Sequence, residues 1–131
     1  GERIVLKAQM LGLNTCWVAV TFSKKAARKA VDIEQDEVLG CVIALGYGET
    51  QGVARKSKPM EELGKTDVQA PDWFIKGMEA AMLAPTATNQ QKFLITLSEG
   101  KVTAEATGGV CRKVDLGIVK YHFEIGSGKK L

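Results

Sequence analysis

The 131-residue chain is poor in aromatic rings, thiols and histidine, and each shortage removes a class of function. Phe, Trp and Tyr make up only 6% of the residues and the formal net charge is +3, with Lys and Arg dispersed along the chain. Without a basic face interleaved with aromatics there is neither a phosphate-tracking surface nor a stacking platform, so nucleic acid is not an expected partner. No apolar run reaches the length of a membrane span and no signal-peptide pattern is present, so no membrane contact is expected. The three cysteines, Cys16, Cys41 and Cys111, are odd in number, widely spaced and form no CxxC pair, while His122 is the only histidine. That arrangement argues for buried free thiols in a reducing cytoplasm and against a disulfide framework or a metal centre.

Catalytic constellations are missing as well. Asp72, Glu79, Asp115 and Glu124 show no paired-carboxylate spacing, and His122 has no Ser or Cys partner motif, so it reads as a core or interface residue. No protein side chain is expected to act as a catalytic acid, base or nucleophile; if there is chemistry, a cofactor carries it.

What is present is a globular composition, 45% hydrophobic and 25% charged, expected to form one domain over residues 1–131. The chain opens Gly-Glu-Arg-Ile-Val-Leu without Met and with apolar residues already at helical spacing. It therefore reads as the C-terminal portion of a longer domain, with an N-terminal segment missing.

Ile4, Val5, Ala8 and Leu11 share one helical face, and Gly12 is a stop. "NTCWVAVTF" reads as an extended apolar segment, and Ser23 can cap a helix over "KKAARKAVDI". "EVLGCVIALGY" is a nearly unbroken apolar run and reads as a strand buried on both faces. Residues 59 to 64 can make one helical turn. Pro71 and Asp72 open a helix with small and aromatic residues on one face, Trp73, Phe74, Gly77, Ala80, Ala81 and Ala84, and Pro85 halts it. "KFLITLSEGKVTAEAT" alternates with period two about Glu99-Gly100 and reads as a hairpin; "DLGIVKYHFEIG" reads as a closing helix. Mixed helices and strands make the class α+β, with a mixed or antiparallel sheet flanked by helices.

Three stretches carry possible binding chemistry, each with a plainer reading beside it. In "GLNTCWVAVTF", small side chains at Ala19 and Thr21 let a flat ligand approach the backbone, although a buried strand explains the same letters. "GYGETQGVARKSKP" lacks the third glycine of a dinucleotide fingerprint and the GK[ST] of a Walker loop. It leaves Arg55, Lys56 and Lys58 after a flexible turn, either to neutralise a phosphate or to lie in water. In "APTATNQQKF", Thr86, Thr88, Asn89, Gln90 and Gln91 both donate and accept, which suits the polar edge of an isoalloxazine or purine, or simply solvates a helix end.

Together these stretches resemble the FMN-dependent nitroreductase family. "GLNTCWVAVTF" is similar to that family's Gly-Leu-Gly-Thr-Cys-Trp segment, "GYGETQGVARKSKP" to its Gly-Tyr-Pro strand end followed by Arg-Lys-x-x-Pro, and "APTATNQQKF" to its Ala-Pro-Ser-x-x-Asn-x-Gln-Pro motif. The order matches a divergent branch in which the Asn-x-Gln motif stands in the C-terminal half; the Arg-rich N-terminal phosphate motif is absent, and Gln91-Lys92 replaces the closing Pro. The resemblance implies a nitroreductase-like fold in which FMN transfers hydride from NADH or NADPH to a small-molecule acceptor such as a nitro-aromatic or quinone. It also implies a homodimer with FMN at the interface. Residue by residue, it implies that Trp17, Val18, Ala19 and Val20 line one flavin face, with a main-chain N–H near Ala19 or Val20 aimed at N5. Arg55 and Lys56 reach the phosphate, and Thr86, Thr88, Asn89 and Gln90 face the ring or ribityl chain. The competing expectation is a ligand-binding or interaction module on the same fold, without turnover.

Overall fold

The computed structural model describes residues 1–131, which divide into two compact units, Gly1–Val53 and Ala54–Leu131. In the first unit, helix α1 (Glu2–Met10) ends where the sequence placed a stop. Gly12 takes φ +75°, its N–H reaches the Gln9 carbonyl, and the Leu13 N–H reaches that of Ala8. This pair of bonds satisfies carbonyls the helix leaves open and requires the left-handed backbone that glycine adopts without steric cost. Strand β1 (Asn14–Val18) follows and pairs antiparallel with β2 (Val42–Gly46), from Asn14↔Gly46 to Val18↔Val42. Between them lies α2 (Lys24–Lys29), capped by Ser23, whose Oγ accepts from the Ala26 N–H at 3.2 Å. The basic residues of α2 face water as expected, since none of its residues is buried.

Two expectations for this unit are corrected. The apolar run of β2 is not buried on both faces: none of its residues is buried, because a two-stranded ribbon cannot enclose its own side chains. Nor are the thiols buried; Cys16 is exposed, while Cys41 in this unit and Cys111 in the other are half-exposed.

The second unit begins with the turn α3 (Met60–Leu63), which runs directly into the three-residue strand β3 (Gly64–Thr66). Helix α4 (Asp72–Ala81) starts behind the extended Pro71, with Asp72 in its first turn, where a carboxylate complements the helix dipole. Strands β4 (Phe93–Ser98) and β5 (Lys101–Ala106) form the expected hairpin; Glu99 and Gly100 sit at φ +51° and +73° at its tip. The sheet order is β3-β4-β5, with β3 parallel to β4 and β5 antiparallel to it. Alternation puts Phe93, Ile95 and Leu97 of the central strand inside.

Helix α5 (Arg112–Ser127) packs against α4 and β5, and Gly128 at φ +66° closes it. The small-residue face of α4 is what admits α5 so closely. An added Cβ on Gly77 would meet the Phe123 ring at 2.6 Å, and one on Gly126 would run into the Lys76 carbonyl oxygen. Phe123 is fully buried and meets Phe74 edge-on with centroids 5.8 Å apart, and Leu63, Met78, Ile95 and Val119 fill the rest of the core. The small and aromatic face of α4 is thus covered by the chain's own last helix. His122 is buried as expected, with Nδ1 3.1 Å from the Ala80 carbonyl. No helix is long and apolar enough to cross a membrane.

Candidate functional site

In the Ala54–Leu131 unit, the segment after α4 makes a single 3₁₀ turn over Ala87–Asn89 and then enters β4. Thr88, Asn89 and Gln91 all have positive φ, +51°, +53° and +47°. A β-branched residue in that region is strained, so surrounding bonds must hold it. They come from the turn and from elements far along the chain. Thr86 Oγ1 accepts from the Gln91 N–H at 3.0 Å. The Asp115 carboxylate, buried in the first turn of α5, accepts from the Ala87 N–H at 3.0 and 3.1 Å and from Gln90 Nε2 at 2.7 Å. Gln90 Nε2 also donates to the Val110 carbonyl at 2.7 Å, so both of its hydrogens are engaged. Gly109, at φ +86°, lies against this amide, and an added Cβ there would strike the Gln90 side chain.

The cationic segment is tied to the same turn. Arg55 donates through Nη1 to the Ala84 carbonyl at 2.7 Å and through Nη2 to that of Met82, so its guanidinium closes the carbonyl end of α4. Partial burial lowers the pKa of that guanidinium from its ordinary value. The Lys56 carbonyl accepts from Asn89 Nδ2 at 2.9 Å and Gln91 Nε2 at 3.0 Å, and the Lys58 N–H donates to Gln91 Oε1 at 2.8 Å. Lys56, Thr88 and Asn89 are exposed, while Arg55, Thr86 and Gln90 are half-buried. Lys56, Thr86, Thr88, Asn89 and Gln90 therefore belong to one hydrogen-bonded turn, to which the structure adds Gln91 and Asp115, while Arg55 is bonded separately to the end of α4. Sequence spacing gave no sign of Asp115, because its partners lie 25 and 28 residues away.

In the Gly1–Val53 unit, the indole of Trp17 donates from Nε1 to the Glu2 carboxylate at 3.0 Å, which fixes the ring against α1. The β1–β2 ladder ends at Val18↔Val42, so the main-chain amides of Ala19 and Val20 lie beyond the paired register. Ala19 is half-buried and Val20 is 82% exposed. Asn14 holds the glycine-rich turn after β2, accepting from the Gly48 N–H at 2.9 Å and donating to the Thr50 carbonyl at 3.3 Å. A hollow in this unit is lined by Ile33, Glu37, Val38 and Leu39, none of which belongs to the candidate segments.

The sequence matches the family described as "Putative TM nitroreductase" over residues 1–127. The chain belongs to this nitroreductase family. Its structure is similar to the crystal structure of a putative nitroreductase from Thermotoga maritima MSB8, with a TM-score of 0.69 and 28% identity. The similarity covers 96% of this chain and 51% of that one, so the chain spans about half the length of this family relative. Comparison with curated proteins finds no match. The α+β, partial nitroreductase-like fold expected from the sequence is thus the observed one.

Each unit, taken by itself, carries donors of a kind that the flavin implied by the nitroreductase resemblance would use. Main-chain amides beyond a strand end, with Ala19 beside them, accommodate a flat ring, and an exposed lysine on a bonded turn accommodates an anionic tail. No buried side-chain nitrogen or oxygen lacks a partner. The amides of Gln90 and Gln91 are accordingly structural groups within the turn, and the exposed groups at its surface belong to Lys56, Thr88 and Asn89.

Proposed function

We propose that this chain is the C-terminal part of an FMN-dependent, nitroreductase-like oxidoreductase that carries hydride from NADH or NADPH to a nitro-aromatic, quinone or related small acceptor. The observation that carries the reading is the family match over residues 1–127. FMN, when bound, supplies the acceptance and release of hydride.

The chain's own residues supply the setting. Trp17, Val18, Ala19 and Val20 would offer an apolar surface to a flat ring, and a main-chain N–H at Ala19 or Val20 would be available to it as a fixed donor. A fixed main-chain donor acts without a titrating side chain, which agrees with the lack of an acid–base pair in the sequence. Lys56 carries the principal charge toward the phosphate. Arg55 adds its field from the end of α4, where its Nη atoms are engaged. Thr86, Thr88, Asn89 and Gln90 would offer the surface of their own turn to a ring or ribityl chain. A homodimer is the assembly that the family resemblance implies for this reading.

The test is steady-state oxidation of NADH and NADPH by full-length protein with FMN and a quinone acceptor. Parallel double-reciprocal lines are expected, because both substrates use the same ring face in turn. No turnover with quinone or nitro-aromatic acceptors would favour the second reading, a ligand-binding or interaction module. One observation favours that alternative: Gln90 and Gln91 are bonded inward, which leaves fewer groups to read a ring edge.

A further inference from the structure

We infer that Gln91 is a positioning residue that pins the main chain of Lys56 and Lys58 and thereby fixes where the Lys56 ammonium meets an anion. The inference rests on the flavin reading above for the identity of that anion, the FMN phosphate.

The argument begins with a missing constraint. Residues 51 to 59 belong to no helix or strand, contain Gly52, and follow the short turn around Gly48 after β2. Left to itself, such a segment samples many conformations, and an exposed lysine on it is a poorly placed charge. Its order must come from bonds to something rigid. Gln91 is 5% exposed and opens the entry to β4, the central strand of its sheet. Its carboxamide lies beside the Lys56–Lys58 main chain as a neighbouring strand would: Nε2 donates to the Lys56 carbonyl at 3.0 Å, and Oε1 accepts from the Lys58 N–H at 2.8 Å. One planar amide thus holds two main-chain groups on either side of Ser57.

Two further donors hold the clamp itself, the Gln91 main-chain N–H and the second Nε2 hydrogen, which Asn89 Oδ1 and the Asn89 carbonyl share. The Gln91 N–H donates to Thr86 Oγ1 at 3.0 Å, and Nε2 lies 3.1 Å from Asn89 Oδ1 and 3.3 Å from the Asn89 carbonyl. These bonds keep Gln91 at φ +47°, a conformation a residue with a side chain rarely adopts. Proline cannot replace the group, since its φ is fixed near −65° and it has no amide to offer.

The experiment uses full-length wild-type protein and the variants Gln91→Leu, Gln91→Glu, Lys56→Ala and Gln91→Leu/Lys56→Ala. Two readouts are followed: hydrogen exchange at the Lys58 amide without ligand, and affinity for FMN and for riboflavin, which lacks the phosphate. Gln91→Leu should speed Lys58 exchange and weaken FMN binding by about tenfold each, the effect of losing about one hydrogen bond or one charge-assisted contact. Riboflavin affinity should stay unchanged. In the Lys56→Ala background the same leucine should leave FMN affinity where Lys56→Ala put it, because the two residues act as one unit. Gln91→Glu, which keeps the acceptor for Lys58 and loses the donor for Lys56, should preserve Lys58 protection; it stands in where the leucine variant fails to fold. Unchanged Lys58 exchange in Gln91→Leu, equal losses for riboflavin, or an undiminished leucine effect without Lys56 would each overturn the inference. A wild-type protein that binds no FMN would refute the flavin reading and the phosphate role together, and the exchange rate alone would then decide whether the clamp exists.

Discussion

Replacing Gly126 by alanine sets two effects of opposite sign against each other, and the structure says which wins. Glycine to alanine inside a helix is worth about 1 kcal/mol in propensity. At Gly126, however, the new Cβ meets the Lys76 carbonyl oxygen, lies 2.5 Å from Ala80 Cβ and 3.1 Å from the Lys76 carbonyl carbon. Two of those three atoms are backbone, so relief requires α4 and α5 to move apart and to loosen the packing around Phe123. Overpacking of this kind costs about 1–3 kcal/mol, and a rigid obstacle puts it at the upper end. The net expectation for Gly126→Ala is a loss of about 1–2 kcal/mol. Gly117 is the control on the same helix: nothing lies within 4 Å of its added Cβ, so Gly117→Ala should gain about 1 kcal/mol. Urea titrations at unchanged slope should separate the two variants by about 2–3 kcal/mol. Equal stabilisation by both substitutions would refute the close α4–α5 contact.

Other substitutions probe the remaining parts of the account. Asp115→Ala leaves the Ala87 N–H and one of the two Gln90 amide hydrogens without an acceptor and should cost about 2–3 kcal/mol, with faster hydrogen exchange at Ala87; unchanged exchange there would contradict the anchoring of the turn. Phe123→Ala removes a fully buried ring and should cost about 3–5 kcal/mol in a chemical melt. The Asp67 carboxylate accepts from Ser98 Oγ and the Glu99 N–H, which hold its pKa below the ordinary carboxylate range. Because the folded value is the lower one, its contribution is fully present above the unfolded pKa of about 4 and is lost as pH falls through the folded value. Asp67→Asn should flatten that acid limb of the stability profile, and an identical profile for wild type and variant would remove Asp67 as its cause.

How much of this was legible depended on whether the cause was local. Ser23, Gly12, Pro71 and the Glu99-Gly100 turn act on their own neighbours, and α1 ends, α2 and α4 begin and the hairpin turns where they stand, although α2 stops at Lys29 and does not run on to Ile33. The strand Gly64–Thr66 carries no strand signal of its own; it exists because its backbone pairs in parallel with β4. The β2 run is apolar enough for a buried strand, yet burial depends on how many strands and helices surround it, and one partner strand is not enough. The amide-rich turn shows the same limit at the site. Its composition announced a dense set of donors and acceptors, but whether these face a ligand or the protein is decided by Asp115, Val110 and Lys56, which are distant in sequence.

The flavin is the claim on which the functional account depends, and absorption spectroscopy reaches it most directly. Full-length protein, purified gently and then titrated with FMN, should show a bound-flavin band near roughly 450 nm and saturate at about one FMN per chain. A colourless protein whose spectrum and fluorescence do not respond to added FMN would contradict the account.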